Sequence, residues 1–278
     1  MSDLAISFGN LSLTYSARGE RAQRLLDFAF RHQRCEPATH PLHHIELSED
    51  PSGELVVLQD GQLESRNQSD ATTVLRLIER ATYHFADRCA DGPVFHGACI
   101  SHAGRATLLA GGSGSGKTCL TTFLLTQGLD YLTDELVFVS DLTSDPVCQG
   151  FARPLNVKNS ARALFPNLTQ RPEALATPFG SLILPDSALA LAPQPGMVVR
   201  QARLARIIFP TYRPGSPFEF STLPKAKAVL LLMQNLINAR NLPDHGFRLV
   251  SALCQSIPAY SLAYSSFDQI DALHLTHP

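Results

Sequence analysis

The sequence predicts an α/β fold in which a core over residues 91–278 follows a small α+β region over residues 1–90. Three observations carry that expectation. Residues 106–127 read as a buried strand, a glycine-rich loop and a helix in immediate succession. Apolar strand runs recur around that unit, at residues 94–101, 136–139, 204–209 and 259–264. Helical patterns stand between them, as in an α/β chain.

The elements follow in order. Residues 5–8 and 11–15 alternate polar and apolar as strands do. Residues 54–58 form another strand, and Asp60-Gly61 is a hairpin turn signal. Asp70 suits a helix N-cap, and Val74, Leu77, Ile78, Ala81 and Phe85 recur at helical spacing to Cys89. Asp91-Gly92-Pro93 stops that helix. Residues 94–101 are a strand, 102–105 a turn and 106–110 a second strand. A helix over 119–127 ends at Gly128. Thr133-Asp134-Glu135 leads into the strand 136–139. Residues 160–195 carry Pro166, Pro172, Pro178, Pro185, Pro193 and Pro195 without a period, which predicts a surface excursion or mobile insertion. After the strand 204–209, Pro224 opens a helix at N1 running to Ala239. A further helix over 247–256 and a last strand over 259–264 complete the chain.

Composition narrows the function classes. Hydrophobic residues make up 44% and charged residues 17%, which is globular rather than disordered. The net charge of −2 offers no basic field for nucleic acid. No apolar run suits a membrane span, and Met1-Ser2-Asp3-Leu4 lacks the start of a secretory signal. A cytoplasmic location is therefore expected, and a homo-oligomer is compatible with the sequence. The six cysteines make no C-x-x-C pair, so reduced and mostly buried thiols are expected. His40, His43 and His44 cluster on a Pro-flanked stretch with no partner at zinc-ligand spacing, which reads as a loop.

Gly111-Gly112-Ser113-Gly114-Ser115-Gly116-Lys117-Thr118 fits the phosphate-binding pattern G-x-x-x-x-G-K-[ST] at every fixed position. Glycines let backbone N–H groups approach phosphate oxygens at a helix N-terminus. Lys117 then reaches the β- and γ-phosphates, and Thr118 offers a hydroxyl to Mg²⁺. Cys119 follows the loop directly. Asp134 and Glu135 come one helix and one turn after the loop, so their strand is expected beside the loop's own strand. Adjacent strand residues face opposite sides, so one of the two carboxylates faces the phosphate site.

Phe95-His96-Gly97-Ala98, the glycine-rich loop and Leu132-Thr133-Asp134-Glu135 together resemble the C-terminal catalytic domain of HPr kinase/phosphorylase. The wider group shares the nucleotide core of ATP-dependent phosphoenolpyruvate carboxykinase. Arg153-Pro154-Leu155-Asn156-Val157-Lys158, Ile207-Ile208-Phe209-Pro210 and Ile257-Pro258-Ala259-Tyr260-Ser261-Leu262 resemble blocks of the HPr-kinase-related kinases. The likeness covers residues 90–270. It implies a carboxykinase-type P-loop core, with ATP and Mg²⁺ as cofactors and γ-phosphoryl transfer to a hydroxyl. The implied acceptor is a peptide or protein Ser or Thr; a small-molecule alcohol, or plain nucleotide hydrolysis by a switch protein, are the alternatives. By resemblance Asp134 is the base, His96 the active-site histidine and Glu135 a metal ligand with Thr118. Arg153 and Lys158 are implied to contact substrate or phosphate. The chain departs from the family in having Glu135 for a second Asp, and Lys-Thr-Cys where the bifunctional enzymes have Lys-Ser-Glu. It also has no clear second family block, so a one-way kinase is expected.

Overall fold

The computed structural model describes residues 2–140, 145–184 and 196–276. They form two compact units, Met1–Arg88 with Arg153–Ala188, and Cys89–Ala152 with Leu189–Pro278. The sequence expectation split the chain into two consecutive pieces. The contacts instead group Arg153–Ala188 with the N-terminal residues.

The first unit is built on a six-stranded sheet. Strands β1 (Ser2–Phe8) and β2 (Leu11–Arg18) make a hairpin. Helix α1 (Glu20–Phe30) buries Ala22, Leu25, Leu26, Ala29 and Phe30, a stripe at helical spacing. Strands β3 (Arg34–Cys35), β4 (His44–Glu49), β5 (Leu55–Gln59) and β6 (Gln62–Asn67) complete the order β3-β1-β2-β4-β5-β6. Asp60 and Gly61 both have positive φ, 50° and 79°, as a tight turn between β5 and β6 requires. Helix α2 (Asp70–Arg88) crosses the sheet with Phe85 against Phe8, ring centroids 5.6 Å apart. Arg21 ties the unit's outer side together. Its guanidinium donates to Glu49, Asp70, the Gly53 carbonyl and the Gln68 carbonyl at 2.7–2.9 Å.

The second unit begins with β7 (Val94–His102) and β8 (Arg105–Ala110), an antiparallel pair. The glycine-rich loop follows, then α3 (Lys117–Thr126), β9 (Asp130–Thr133), β10 (Leu136–Ser140) and β11 (Val147–Gly150). The chain then serves the first unit. It adds β12 (Leu155–Val157), a 3₁₀ turn at Asn159–Leu164, the short α4 (Pro166–Thr169), β13 (Leu175–Ala176) and β14 (Leu182–Leu184). The expected structureless excursion over 160–195 is thus replaced, through residue 184, by a small three-stranded sheet that buries Phe165, Leu168, Leu182, Ile183 and Leu184. Pro166 starts α4, and Pro172 and Pro178 lie in the turns between short elements, which leaves no run long enough to show a period. Residues 185–195 of that expectation lie outside the described residues.

The long strand β15 (Gln201–Tyr212) returns to the second unit. It is followed by β16 (Glu219–Thr222), α5 (Lys225–Met233), α6 (Phe247–Ser256), β17 (Ala259–Tyr264) and α7 (Ala272–Thr276). The sheet order is β11-β10-β7-β8-β15-β17-β16. β8 runs parallel to β15, and β15 parallel to β17. β11 also pairs with the start of β15, so β11, β10, β7, β8 and β15 close into a ring. Phe95, Cys99, Leu108, Ile207 and Phe209 pack with Val229 and Leu232 of α5 and Val250 and Leu253 of α6 in one apolar cluster.

Helix α5 stops at Met233, short of the expected Ala239, and Pro224 is its N-cap rather than N1. The chain beyond Met233 has another role. Leu236 bridges to Phe95 of β7, the Asn235 carbonyl accepts from the His96 amide at 2.8 Å, and the Ile237 amide donates to the Val94 carbonyl. These residues take up the edge of β7 that β8 vacates where the glycine-rich loop turns away. Among the described residues, no helix is long and apolar enough to cross a membrane, and no three metal-ligating side chains gather. His43 meets Asp60 at 2.6 Å and packs against the His84 ring, while His44 bonds Thr14 and Ser16 from within β4. All six cysteines are free thiols, with Cys89, Cys99, Cys148 and Cys254 buried.

Candidate functional site

The glycine-rich loop leaves β8 at Gly111 and enters α3 at Lys117, two residues earlier than the helix expected from the sequence. Gly116 at the helix N-cap has φ 94°, a left-handed conformation that favours glycine. A Cβ there would also fall 2.6 Å from the Tyr264 hydroxyl and 3.1 Å from Tyr212 Cβ. Gly112, Ser113 and Gly114 are exposed, and a Cβ at Gly112 or Gly114 would meet nothing within 4 Å. The outer side of the loop is therefore open backbone at a helix N-terminus, an arrangement that fits a phosphate chain. Lys117 is buried, and its ammonium donates to the Gly111 and Gly112 carbonyls at 2.5 and 3.1 Å. It lies folded across the loop it would serve. Thr118 and Cys119, both partly buried, complete the first turn of α3.

The loop is anchored by residues far away in sequence. The Gly111 amide donates to Asn235 Oδ1 at 3.1 Å, and Asn235 Nδ2 donates to the Leu231 carbonyl at 2.8 Å. Asn235 thus joins the root of the loop to β7 through both its side chain and its carbonyl. On the other side the Tyr212 amide donates to the Ser115 carbonyl at 3.1 Å, and the Tyr264 hydroxyl to the Gly116 carbonyl at 3.3 Å. Burial, with Cys119 and Tyr212 nearby, pushes the Tyr264 phenol well above its ordinary range, so it remains a donor at every working pH.

The carboxylates are placed differently from the expectation. β9 and β10 lie along the edge of β7, not beside β8, because the other edge of β8 is taken in parallel by β15. Asp134 and Glu135 form the break between β9 and β10. The Glu135 carbonyl accepts from the Gly97 amide at 3.0 Å, and Gly97 stands opposite Ala110, the last residue of β8. Glu135 therefore shares a row of the sheet with the root of the loop, one strand removed. Its carboxylate is 3.4 Å from His96 Nδ1, and both side chains are partly exposed. Asp134 is buried, 3% exposed, and its Oδ1 accepts from the Tyr131 hydroxyl at 3.2 Å. Arg153 and Lys158 belong to the other compact unit.

Sequence reasoning missed Asn235, Tyr212 and Tyr264. Asn235 follows an apolar helical run and carries no motif. The tyrosines gave a weak signal: Tyr264 closes the strand expected over 259–264, whereas Tyr212 lies three residues beyond the strand expected over 204–209.

No protein-family description and no curated protein matches the chain. Among solved structures, one to which it is similar is the Hpr(Ser) kinase/phosphatase from Coxiella burnetii, at 13% identity and a TM-score of 0.32. The alignment covers 63% of this chain and 87% of that one.

Proposed function

We propose that the chain is an ATP-dependent kinase with a carboxykinase-like P-loop core, which moves the γ-phosphoryl group of Mg-ATP to a hydroxyl of a peptide or protein Ser or Thr. One observation carries the reading. A complete glycine-rich phosphate motif spans a strand and a helix, with its outer backbone open and its root in the same sheet row as the Asp134-Glu135 break. The choice of acceptor rests on the motif resemblance alone.

The roles follow from the placement of these groups. Backbone N–H groups of the loop hold the phosphates, and the donors are fixed before the reaction. Lys117 exchanges its two loop carbonyls for β- and γ-phosphate oxygens, so its charge is delivered where charge builds. Thr118 and Glu135 would hold magnesium, which when bound neutralises the phosphate oxygens. His96 orients Glu135 through their contact. Asp134, held by the Tyr131 hydroxyl, accepts the proton of the acceptor. Arg153 and Lys158 are assigned to the acceptor or its phosphate by resemblance.

The test is incubation with Mg-ATP and candidate hydroxyl peptides and alcohols, read by mass spectrometry for one added phosphate. Lys117→Ala is expected to lower transfer by about 10²–10³-fold while far-UV circular dichroism and the ligand-free melting temperature stay the same. Undiminished transfer by that variant would end the P-loop reading. ATP hydrolysis that no acceptor redirects would replace the kinase by a hydrolase.

A further inference from the structure

A nucleotide needs a surface for its base as well as a cradle for its phosphates. Three parallel strands of the second unit, β8, β15 and β17, end at one edge of the sheet. Ligands of such sheets gather outside the carboxyl ends of the strands. β8 ends in the phosphate loop, β15 in Tyr212 and β17 in Tyr264. The two tyrosines are paired across the strands but differ in exposure: Tyr264 is 1% exposed and Tyr212 46%.

A single exposed aromatic is ordinary on a protein surface. Tyr212 is set apart by how it is held. Its amide is bonded to Ser115 of the loop, and its Cβ lies 3.1 Å from where a Cβ of Gly116 would stand. Its ring meets Tyr264 at 63° with centroids 5.6 Å apart, and Tyr264 stacks in turn on Phe267, which stacks on Phe123 of α3. The ring is therefore braced from behind by the buried Tyr264 and, through it, by the partly buried Phe267 and Phe123, and it stands at the mouth of the phosphate loop.

We propose that Tyr212 is the stacking platform for the nucleobase of the bound triphosphate, a reading that rests on the P-loop assignment. Stacking on an aromatic face tolerates any base, since every base has a π-face. The platform predicts similar affinities for ATP and GTP.

The experiment measures dissociation constants of Mg-ATP, Mg-GTP and Mg-tripolyphosphate by calorimetry for wild type, Tyr212→Ala and Tyr212→Phe. Tripolyphosphate fills the phosphate loop and has no base. Tyr212→Ala is expected to weaken both nucleotides by about 10- to 100-fold and to leave tripolyphosphate unchanged, with Tyr212→Phe restoring both. Unchanged nucleotide affinity in Tyr212→Ala overturns the platform. An equal loss for tripolyphosphate overturns it too, making Tyr212 a brace for the loop. A loss confined to one nucleotide overturns base-tolerant stacking. Wild-type protein that binds none of the three refutes the P-loop reading itself, an outcome distinct from all the others.

Discussion

In the N-terminal unit charged side chains meet one another near the surface, whereas in the second unit three of them are buried. Arg21 reaches two carboxylates and two carbonyls while remaining partly exposed, and Arg18–Glu46 and Arg66–Asp50 repeat the theme further out. Among the described residues, the buried lysine, aspartate and arginine are Lys117, Asp134 and Arg206, all in the second unit. Arg206 has a structural task, since it donates to the Leu275 carbonyl in α7 at 2.8 Å and lies over the Tyr260 ring. Lys117 heads the helix after the glycine-rich loop, and Asp134 sits at a break in strand pairing. Burying a charge is costly unless the surroundings compensate it, and Lys117 and Asp134 are the two buried charges to which the proposed function gives roles. The surface network of the first unit needs only architecture to explain it.

That contrast breaks most readily at Asp134. Asp134→Asn is expected to lower turnover by about 10²-fold or more with less than a threefold change in Mg-ATP affinity, measured by steady-state kinetics beside calorimetry. Intact turnover with a large affinity loss would make Asp134 a ligand-binding group rather than the base.

Asn235 sharpens the contrast from within the second unit. Asn235→Ala removes the acceptor of the Gly111 amide and is expected to cost about 1–3 kcal/mol of stability and to weaken tripolyphosphate binding about tenfold. Asn238→Ala is the control. Asn238 is fully buried and bonds Val94, Cys89 and Gly92, away from the loop. It should destabilise at least as much, yet leave tripolyphosphate affinity unchanged.

The first unit should answer in stability alone. Arg21→Ala is expected to cost about 1–3 kcal/mol in denaturant unfolding and to leave nucleotide affinity unaltered. Arg21→Lys should not restore it, because an ammonium cannot reproduce the planar fork.

The smallest effect concerns His84. Burial, with His43 and Arg80 nearby, lowers its pKa from 6.5 to about 4, so it stays neutral in the folded chain. Between pH 6.5 and about 4 the unfolded chain takes up a proton that the folded one refuses. Stability therefore falls as pH drops through that window and levels off below it. His84→Gln removes the titrating group and should flatten the slope by about 2 °C in melting temperature across it. Gln keeps a donor for Gln59 Oε1, which the His84 ring contacts at 2.9 Å.

What was legible in the sequence was what is local. Helix α6 and strand β17 have the bounds that the apolar pattern set, and the strand–loop–helix unit around the glycine-rich motif is legible because the motif is eight consecutive residues. Helix α1 was equally legible, with Ala22, Leu25, Leu26, Ala29 and Phe30 in register, but the strands around it drew the reading toward β structure. Strand order was not legible. The spacing from Lys117 to Asp134 fixes how much chain intervenes, not which edge the next strand joins, and that edge was β7. Asn235 lay beyond reach for the same reason, since a lone amide after an apolar helix looks like any helix end.

The closed ring of strands has a consequence for how the protein is made. β8 emerges early, but its parallel partner β15 is encoded nearly a hundred residues later, as the Ala106–Leu204 pairing shows. The bond that seats the glycine-rich loop, from Gly111 to Asn235, spans 124 residues. Contacts so distant form late, after loop-closure entropy has been overcome. During synthesis the glycine-rich loop therefore leaves the ribosome well before it has a floor. It acquires its shape only when the last quarter of the chain arrives, so a truncated or stalled product carries the motif without the site.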